Sequence, residues 1–244
     1  MNYRMIALDV DGTLLNDDHE MTGRVIRAVR AAAAEGAEIV LCTGRGSVSA
    51  MPVLERLEMD GTMITHNGAS ILDSRTRSVL HESVLTNETA GRYADYCRER
   101  GIHFDMNTSF ALYAERIGDD AAAMYRNLWA KPILYAAGQL LPERTVKLSL
   151  FADTAVIDGV IADWQSWRHE LHYIRSGDNF IDVQHPSANK GAALERLAAM
   201  RGVPKERIVA IGNYYNDTGM IAFAGLGVAM GNSPDEVKAL ADFV

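Results

Sequence analysis

Short apolar runs and amphipathic stretches alternate along the first part of the chain. Short apolar runs at 4–8, 39–42 and 63–65 predict buried strands, and amphipathic stretches at 22–34 and 48–57 predict helices between them. Because these strands are apolar throughout, they match the strands of a parallel sheet that is covered on both faces. The order of elements therefore predicts an α/β fold with a doubly wound parallel sheet.

The pattern changes after a predicted hairpin at 70–72 and 78–81. Beyond it, runs such as VKLSLF and FIDVQ alternate apolar and polar residues, which predicts an antiparallel sheet with one face covered and the other in water. Helices are expected among these strands at three places: 89–100, 119–128 and 154–165. All three tryptophans lie in this stretch, which indicates a core of its own. We therefore predict an inserted α+β cap domain at 83–183.

The first pattern resumes after the insertion. The predicted elements are helices at 189–200, 220–224 and 234–240, the last with Pro234 in its first position, and strands at 208–211, 226–229 and 242–244. These elements return the chain to the parallel sheet. Residues 1–82 and 184–244 are therefore predicted to form one Rossmann-like core domain.

Composition narrows the range of partners. The 244 residues carry a net charge of −8, whereas nucleic acid and anionic membranes need a basic face, so neither is expected as a partner. No apolar run approaches the roughly 20 residues that cross a bilayer, and the opening MNYRMIALD lacks the apolar core of a signal peptide. Cys42 and Cys97 show no CxxC spacing. Free thiols are expected of a cytoplasmic protein.

Asp9 and Asp11 stand two residues apart at the end of the first predicted strand. Carboxylates this close repel each other unless a cation lies between them. Such a pair can divide the work between a nucleophile and a proton carrier, and Gly12 permits a sharp turn after it. The alternative is a solvated turn whose aspartates cap a helix. The apolar strand before the pair and the GTLL after it favour the chemical interpretation.

Further polar residues follow the other predicted core strands. Thr43 and Gly44 offer a hydroxyl and backbone N–H groups at a helix start, which suits a phosphate, although Thr-Gly also serves as an ordinary cap. Lys190 supplies a positive charge that can bind phosphate and offset carboxylates, although most lysines in such places are solvated. Because the carboxyl ends of parallel strands share one edge of a sheet, we expect these residues to meet.

Four motifs occur in order along the chain: DVDGT at 9–13, TGR at 43–45, NKG at 189–191 and GNxxND at 212–217. NGA at 67–69 and GVAMGNSPDEVKALAD at 227–242 add to the set. This set resembles the haloacid dehalogenase-like hydrolase superfamily. Its spacing is similar to that of the Cof-type phosphatases, whose cap is inserted between the second and third motifs. The resemblance covers nearly the whole chain.

The resemblance implies a phosphatase for a small phosphorylated metabolite, such as a sugar phosphate or a phosphorylated cofactor. It makes Asp9 the nucleophile that forms an aspartyl-phosphate and Asp11 the general acid and base. It implies phosphate binding by five residues: Thr43, Gly44, Arg45, Lys190 and Asn216. It also implies a Mg²⁺ ion held by four residues: Asp9 through its carboxylate, Asp11 through its main-chain carbonyl, Asn213 and Asp217.

One position departs from the family pattern, which usually has an aspartate where this chain has Asn213. An amide oxygen can coordinate Mg²⁺ but brings no charge, and a unit charge about 4 Å away is worth roughly 4 kcal/mol at an effective dielectric constant of about 20. Since Mg²⁺ sites manage with one or two carboxylates plus substrate phosphate, we predict a working site with weaker Mg²⁺ binding. The alternatives are a metabolite-binding protein with little turnover and a phosphomutase. The sequence leaves the oligomeric state open.

Overall fold

The structure, a computed structural model, describes residues 2–136 and 140–244. It consists of two compact units, one formed by Met1–His81 and Ala188–Val244 and the other by Glu82–Ser187. The insertion predicted from the sequence, 83–183, ends inside a strand that the second unit completes, Phe180–Gln184. Within the described ranges, no helix combines the length and the apolar character that crossing a membrane requires.

The chain first builds the larger part of a sheet. Its elements are β1 (Met5–Leu8), α1 (Gly23–Ala34), β2 (Glu38–Cys42), α2 (Ser47–Leu57), β3 (Thr62–Thr65), β4 (Ser70–Asp73) and β5 (Ser78–Glu82). Helix α1 begins where predicted, because the side chain of Thr22 accepts a hydrogen bond from the Val25 amide and satisfies a free N–H of the first turn.

The second unit follows. Its elements are α3 (Asn87–Arg100), β6 (His103–Thr108), β7 (Leu112–Ala114), α4 (Asp119–Asn127), β8 (Ile133–Leu134), β9 (Thr145–Phe151), α5 (Thr154–Trp164), β10 (His172–Gly177) and β11 (Phe180–Gln184). They form a sheet in the order β10-β11-β9-β6-β7-β8. Its apolar side chains, among them Leu148, Leu150 and Ile181, join a buried cluster with Tyr93 and Trp164. The expected separate core is present.

The remaining elements return to the first sheet. They are α6 (Lys190–Arg201), β12 (Ile208–Gly212), α7 (Thr218–Phe223), β13 (Leu226–Ala229) and α8 (Asp235–Lys238). The sheet has the order β13-β12-β1-β2-β3-β4-β5. Neighbouring strands from β13 to β3 are parallel, and β4 pairs antiparallel with β3. The α/β fold with a doubly wound, largely parallel sheet and an α+β insertion is therefore confirmed.

The register of this sheet brings the ends of its parallel strands level. Leu8 at the end of β1 pairs with Leu41 of β2 and with Ile211 of β12. Cys42 at the end of β2 pairs with Ile64 of β3. The residues that follow these strands therefore emerge side by side along one edge of the sheet.

Three local predictions are wrong. Residues 242–244 do not form a strand; Phe243 makes only an isolated bridge to Val228. Pro234 precedes α8 as its cap, because its ψ of 152° is extended rather than helical. The sheet of the second unit is not wholly antiparallel, since β7 and β8 run parallel.

The polar face of the second sheet is also buried, against the expectation of a wet face. Lys147 and Ser149 of β9 are each 7% exposed. Alternation alone could not reveal this, because the polar side chains satisfy one another: Lys147 Nζ lies 3.1 Å from Asp182 Oδ1, and Ser149 donates a hydrogen bond to the same oxygen.

Candidate active site

The end of β1 presents one buried and one half-exposed carboxylate. Asp9 is 5% exposed, and its main-chain N–H donates to the carbonyl of Ile211 in β12. The side chain of Asp11 is 48% exposed. Between and after them the chain turns sharply, and Gly12 has a φ of +77°, which a residue without Cβ adopts readily. The two carboxylates therefore occupy very different environments although they are two residues apart.

Lys190 joins Asp9 to the loop after β12. Its Nζ donates to Asp9 Oδ1 at 2.8 Å and to Asp217 Oδ1 at 2.6 Å. All three side chains are buried. Asn189 caps α6 by accepting from the Ala192 amide, so that Lys190 is the first helical residue. The alternative of a solvated surface lysine is therefore wrong for Lys190.

Glycines allow α6 to approach the loops closely enough for this contact. A Cβ on Gly191 would lie 2.5 Å from the carbonyl carbon of Gly219 in α7. A Cβ on Gly68 would lie 2.3 Å from the carbonyl oxygen of Asn189. Because no side chain fits at either place, the N-terminus of α6 lies directly against the ends of the neighbouring elements.

Burial and charge oppose each other at this site. Burial raises the pKa of Asp9 to about 6 although Lys190 favours its charged form, and the nearby Asp217 adds to the rise. Burial by itself lowers the pKa of Lys190, but the carboxylates of Asp9 and Asp217 outweigh it and raise that pKa. Lys190 is therefore a permanent cation between two buried carboxyl groups.

One carboxylate oxygen of Asp9 takes no part in this hydrogen-bond network. Asp9 Oδ2 is buried and has no hydrogen-bond partner among the described residues. A buried carboxylate oxygen normally accepts at least one hydrogen bond, because losing its water is costly. An oxygen that is buried, oriented and unpaired is suited to a bond with an electrophile or a cation.

Arg45 is bonded to Asp11. The guanidinium Nε lies 2.8 Å from Asp11 Oδ2, and Nη2 lies 2.6 Å from Asp11 Oδ1. This is the two-pronged geometry that an arginine and a carboxylate prefer. Sequence reasoning assigned Arg45 to the phosphate, and nothing in the spacing of the TGR motif pointed to this partner.

The loops after β2, β3 and β12 meet at Asn67. Asn216 donates from Nδ2 to Asn67 Oδ1 at 3.1 Å, and a Cβ on Gly44 would lie 2.9 Å from the same oxygen. Thr43 is fully buried, and its Oγ1 accepts from the Arg45 amide at 3.0 Å, which still leaves it a hydroxyl proton to donate. The sequence offered the NGA motif as the only signal for Asn67 and assigned it no role.

Asp217 organises the loop after β12. Its Oδ2 accepts from the main-chain N–H groups of Asn213 at 2.9 Å and Tyr214 at 3.1 Å, while its Oδ1 accepts from Lys190. A Cβ on Gly212 would lie 2.5 Å from Asp217 Cβ, so glycine is required for this fold-back. With both oxygens bonded to protein donors, Asp217 is arranged as a loop-forming residue, and its role as a metal ligand stays a prediction.

Asn213 faces the turn that carries the two aspartates. A Cβ on Gly12 would lie only 2.3 Å from Asn213 Nδ2. Asn232, a residue that the sequence reasoning passed over, donates from Nδ2 to the Gly12 carbonyl at 3.0 Å. The side chain of Asn213 therefore lies against the turn that follows Asp9 and Asp11, and its role as a metal ligand stays a prediction.

The donor set is sparse but of the right kind for Mg²⁺. In residues 2–136 and 140–244, no three His, Cys, Asp or Glu side chains are grouped for a metal. Asp9 nevertheless offers a buried oxygen without a partner among the described residues, and the amide of Asn213 lies against Gly12 in the turn that follows the two aspartates. Oxygen donors with few carboxylates are what Mg²⁺ uses when substrate phosphate and water complete its shell, so the residues fit the ion.

Comparison with known proteins agrees with this geometry. The family of haloacid dehalogenase-like hydrolases matches residues 6–244. Phosphatase YwpJ of Bacillus subtilis is 28% identical over 99% of this chain and 94% of its own. Pyridoxal phosphate phosphatase YbhA of Escherichia coli is 27% identical over 100% of this chain and 93% of its own. A haloacid dehalogenase-like hydrolase structure from Bacteroides thetaiotaomicron superposes with a TM-score of 0.89 at 26% identity, covering 99% and 93% of the two chains.

The fold and the strand-end site thus define a hydrolase of the α/β class. The chain belongs to the haloacid dehalogenase-like hydrolase family, which confirms the resemblance seen in its motifs. It is a phosphatase, that is, a phosphoric monoester hydrolase.

Proposed function

We propose that the chain hydrolyses phosphate monoesters through a covalent intermediate on Asp9. The observation that carries this proposal is the buried Asp9 Oδ2, which has no hydrogen-bond partner in the described part of the chain. The other oxygen of the same carboxylate is held by Lys190. The group is thus oriented by one oxygen, while the other keeps its lone pairs for phosphorus. A purely structural carboxylate would have both oxygens bonded, as Asp217 does.

In the first step, Asp9 Oδ2 forms a bond to phosphorus as the bond from phosphorus to the ester oxygen breaks. The departing oxygen keeps the electron pair and takes a proton from the Asp11 carboxyl group. In the second step, water attacks phosphorus and gives a proton to the Asp11 carboxylate, while the bond to Asp9 breaks. The products are an alcohol and inorganic phosphate, and both aspartates regain their starting forms.

Lys190 and Thr43 are proposed to stabilise the phosphoryl group during transfer. Phosphoryl transfer depends on positioning and on neutralising charge at the transferred oxygens. Lys190 brings a fixed positive charge beside the nucleophile, and the Thr43 hydroxyl and the Gly44 amide lie at the adjacent strand end. Arg45 and Asn216 already have protein partners, so phosphate binding by either would require an exchange of bonds.

A Mg²⁺ ion is proposed as the cofactor. Asp9 and the Asp11 main-chain carbonyl would hold it together with the amide oxygen of Asn213, and Asp217 would contribute by shaping the loop. When bound, the ion would offset the negative charge of phosphate and carboxylate. The substrate is proposed to be a sugar phosphate or a phosphorylated cofactor; the name of one relative, pyridoxal phosphate phosphatase, belongs to the second class. The cytoplasmic location stays a prediction.

The test combines activity with chemical trapping. We expect the unaltered chain to release phosphate from p-nitrophenyl phosphate when Mg²⁺ is added and to lose this activity in a chelator. After borohydride treatment during turnover, an aspartyl-phosphate is reduced to homoserine, which mass spectrometry should locate at position 9. Asp9→Asn should abolish both signals, whereas Asp60→Asn, at an exposed aspartate of the same unit, should change neither. Phosphate release that survives in Asp9→Asn would contradict the proposal.

A further inference from the structure

The two bonds from Arg45 to Asp11 are the strongest directional interaction of the site that the mechanism above leaves unused. We infer that Arg45 is a positioning residue that acts on the reaction through Asp11 and not through the phosphate. The inference rests on the proposed function, because it takes Asp11 as the proton carrier.

The geometry fixes the orientation of the Asp11 carboxyl group. Two nitrogens of one guanidinium meet two oxygens of one carboxyl group, at 2.8 and 2.6 Å. A single hydrogen bond would allow the carboxyl group to rotate, whereas the planar fork of arginine fixes both its direction and its plane. Asp11 needs such support, because its own side chain is 48% exposed and it lies in a sharp turn.

Arg45 itself is firmly held. Its side chain is 6% exposed, its main-chain N–H donates to Thr43 Oγ1, and its carbonyl accepts from the His66 amide at 2.9 Å. Its Nη1 also approaches the Ser49 carbonyl at 3.4 Å. A buried, anchored arginine therefore holds a half-exposed aspartate. This asymmetry indicates that Arg45 determines where the Asp11 carboxyl group points.

The fork also explains how one group can serve two steps. The two N–H donors of Arg45 occupy one lone-pair site on each Asp11 oxygen. Opening one of the two bonds lets that oxygen turn to the leaving group or to water, and the remaining bond keeps the carboxyl group in place. A phosphate-binding arginine would instead be expected to point its donors at the substrate and would assist every ester equally.

The experiment compares two esters that differ in leaving group. The kcat/KM value, which covers the steps up to loss of the leaving group, is measured with p-nitrophenyl phosphate and phenyl phosphate. Nitrophenolate departs readily without a proton, whereas phenolate depends more on a general acid. The variants are Arg45→Ala, Arg45→Lys, Asp11→Asn and the double variant Asp11→Asn with Arg45→Ala. Arg30→Ala is the matched control, because it removes an arginine–carboxylate pair with Glu58 elsewhere in the same unit.

We expect Arg45→Ala to lower kcat/KM for phenyl phosphate roughly tenfold more than for p-nitrophenyl phosphate, since general acid catalysis is worth about 10²–10⁴ in rate. Arg45→Lys should recover part of the loss, because an ammonium keeps a donor but not the fork. In the Asp11→Asn background, Arg45→Ala should have almost no further effect. Arg30→Ala should leave the ratio of the two esters unchanged.

Equal losses for both esters, or the same loss in both backgrounds, would overturn the inference and return Arg45 to phosphate binding. If Arg45→Ala does not fold, the ester ratio of Arg45→Lys decides in the same way, because the lysine keeps a charge at the buried position. The proposed function fails separately, by equal phosphate release from the unaltered chain and Asp9→Asn, and the inference then fails with it.

Discussion

Lys190 Nζ lies 2.8 Å from Asp9 Oδ1, although 181 positions separate the two residues in the sequence. The same nitrogen lies 2.6 Å from Asp217 Oδ1. One buried cation thus connects Asp9 at the end of β1, the helix after the insertion and the loop after β12. The proposed active site and the stability of the first unit therefore share this contact.

Replacing Lys190 is therefore expected to harm folding as well as catalysis. Lys190→Met leaves two buried carboxyl groups without their cation, and breaking a buried pair in this way costs about 3–5 kcal/mol in the free energy of unfolding. Chemical denaturation measures the loss. Lys238→Met, which removes a distant pair with Asp235, should leave stability nearly unchanged. An equally small effect at Lys190 would mean that its charge is solvated.

Alanine substitutions at two glycines can distinguish the effect of backbone strain from the effect of displacing the Asn213 side chain. Gly12 and Gly36 both have positive φ, +77° and +92°, so alanine at either should cost about 1–2 kcal/mol in stability. Only at Gly12 does the new Cβ meet Asn213, at 2.3 Å, whereas nothing lies within 4 Å at Gly36. We expect Gly12→Ala to lose phosphatase activity and Gly36→Ala to keep it. Comparable activity in the two variants would show that the position of Asn213 does not matter.

The charge at position 213 should couple to Mg²⁺. Asn213→Asp adds a carboxylate beside the Asp9 turn, so we expect a lower melting temperature than the unaltered chain in a chelator. Added Mg²⁺ should raise the melting temperature of Asn213→Asp more steeply, because an ion that binds only the folded state stabilises it more at a given concentration when it binds more tightly. The neutral variant Asn213→Ser provides the control. If the Mg²⁺ dependence is the same in all three chains, position 213 does not contact the ion.

The second unit should show a pH-dependent stability of its own. Burial raises the pKa of Asp105 to about 7, with Lys147 opposing the rise and Asp182 adding to it. Because the folded chain then binds a proton that the unfolded chain, with a pKa of 3.8, has already released, stability is lost as the pH rises from about 4 to about 7. The loss should be absent in Asp105→Asn, which cannot ionise. Denaturation of both chains across this range measures the difference, and parallel curves would contradict the shift.

The meeting of the strand ends could be predicted from the sequence because it follows from local pattern. Apolar strands separated by helices imply a parallel sheet, and a parallel sheet puts the residues after its strands on one edge. Asp9, Thr43 and Asn213 each follow such a strand, so the sequence pattern by itself predicts that they lie along the same edge of the sheet. The fold class and the family were available from the same pattern and from the order of the motifs.

The hydrogen-bond partners of individual side chains could not be predicted from the sequence pattern. The TGR motif shows that Arg45 follows β2, but the distance from its guanidinium to Asp11 depends on how two loops turn. The buried polar face of β9 was missed for a related reason, because a lysine or serine becomes buried only when a residue far along the chain satisfies it.

Hydrophobic periodicity and motif order thus determined which elements form, which sheet edge carries the motif residues and which residues are candidates for catalysis, since each of these depends on residues close together in sequence. Only the tertiary structure decided that Lys190 bridges Asp9 and Asp217, that Arg45 holds Asp11 and that one oxygen of Asp9 stays unpaired. The physical reason is that hydrogen bonds of buried charged groups depend on distances of a few tenths of an ångström, which packing sets and spacing along the chain does not.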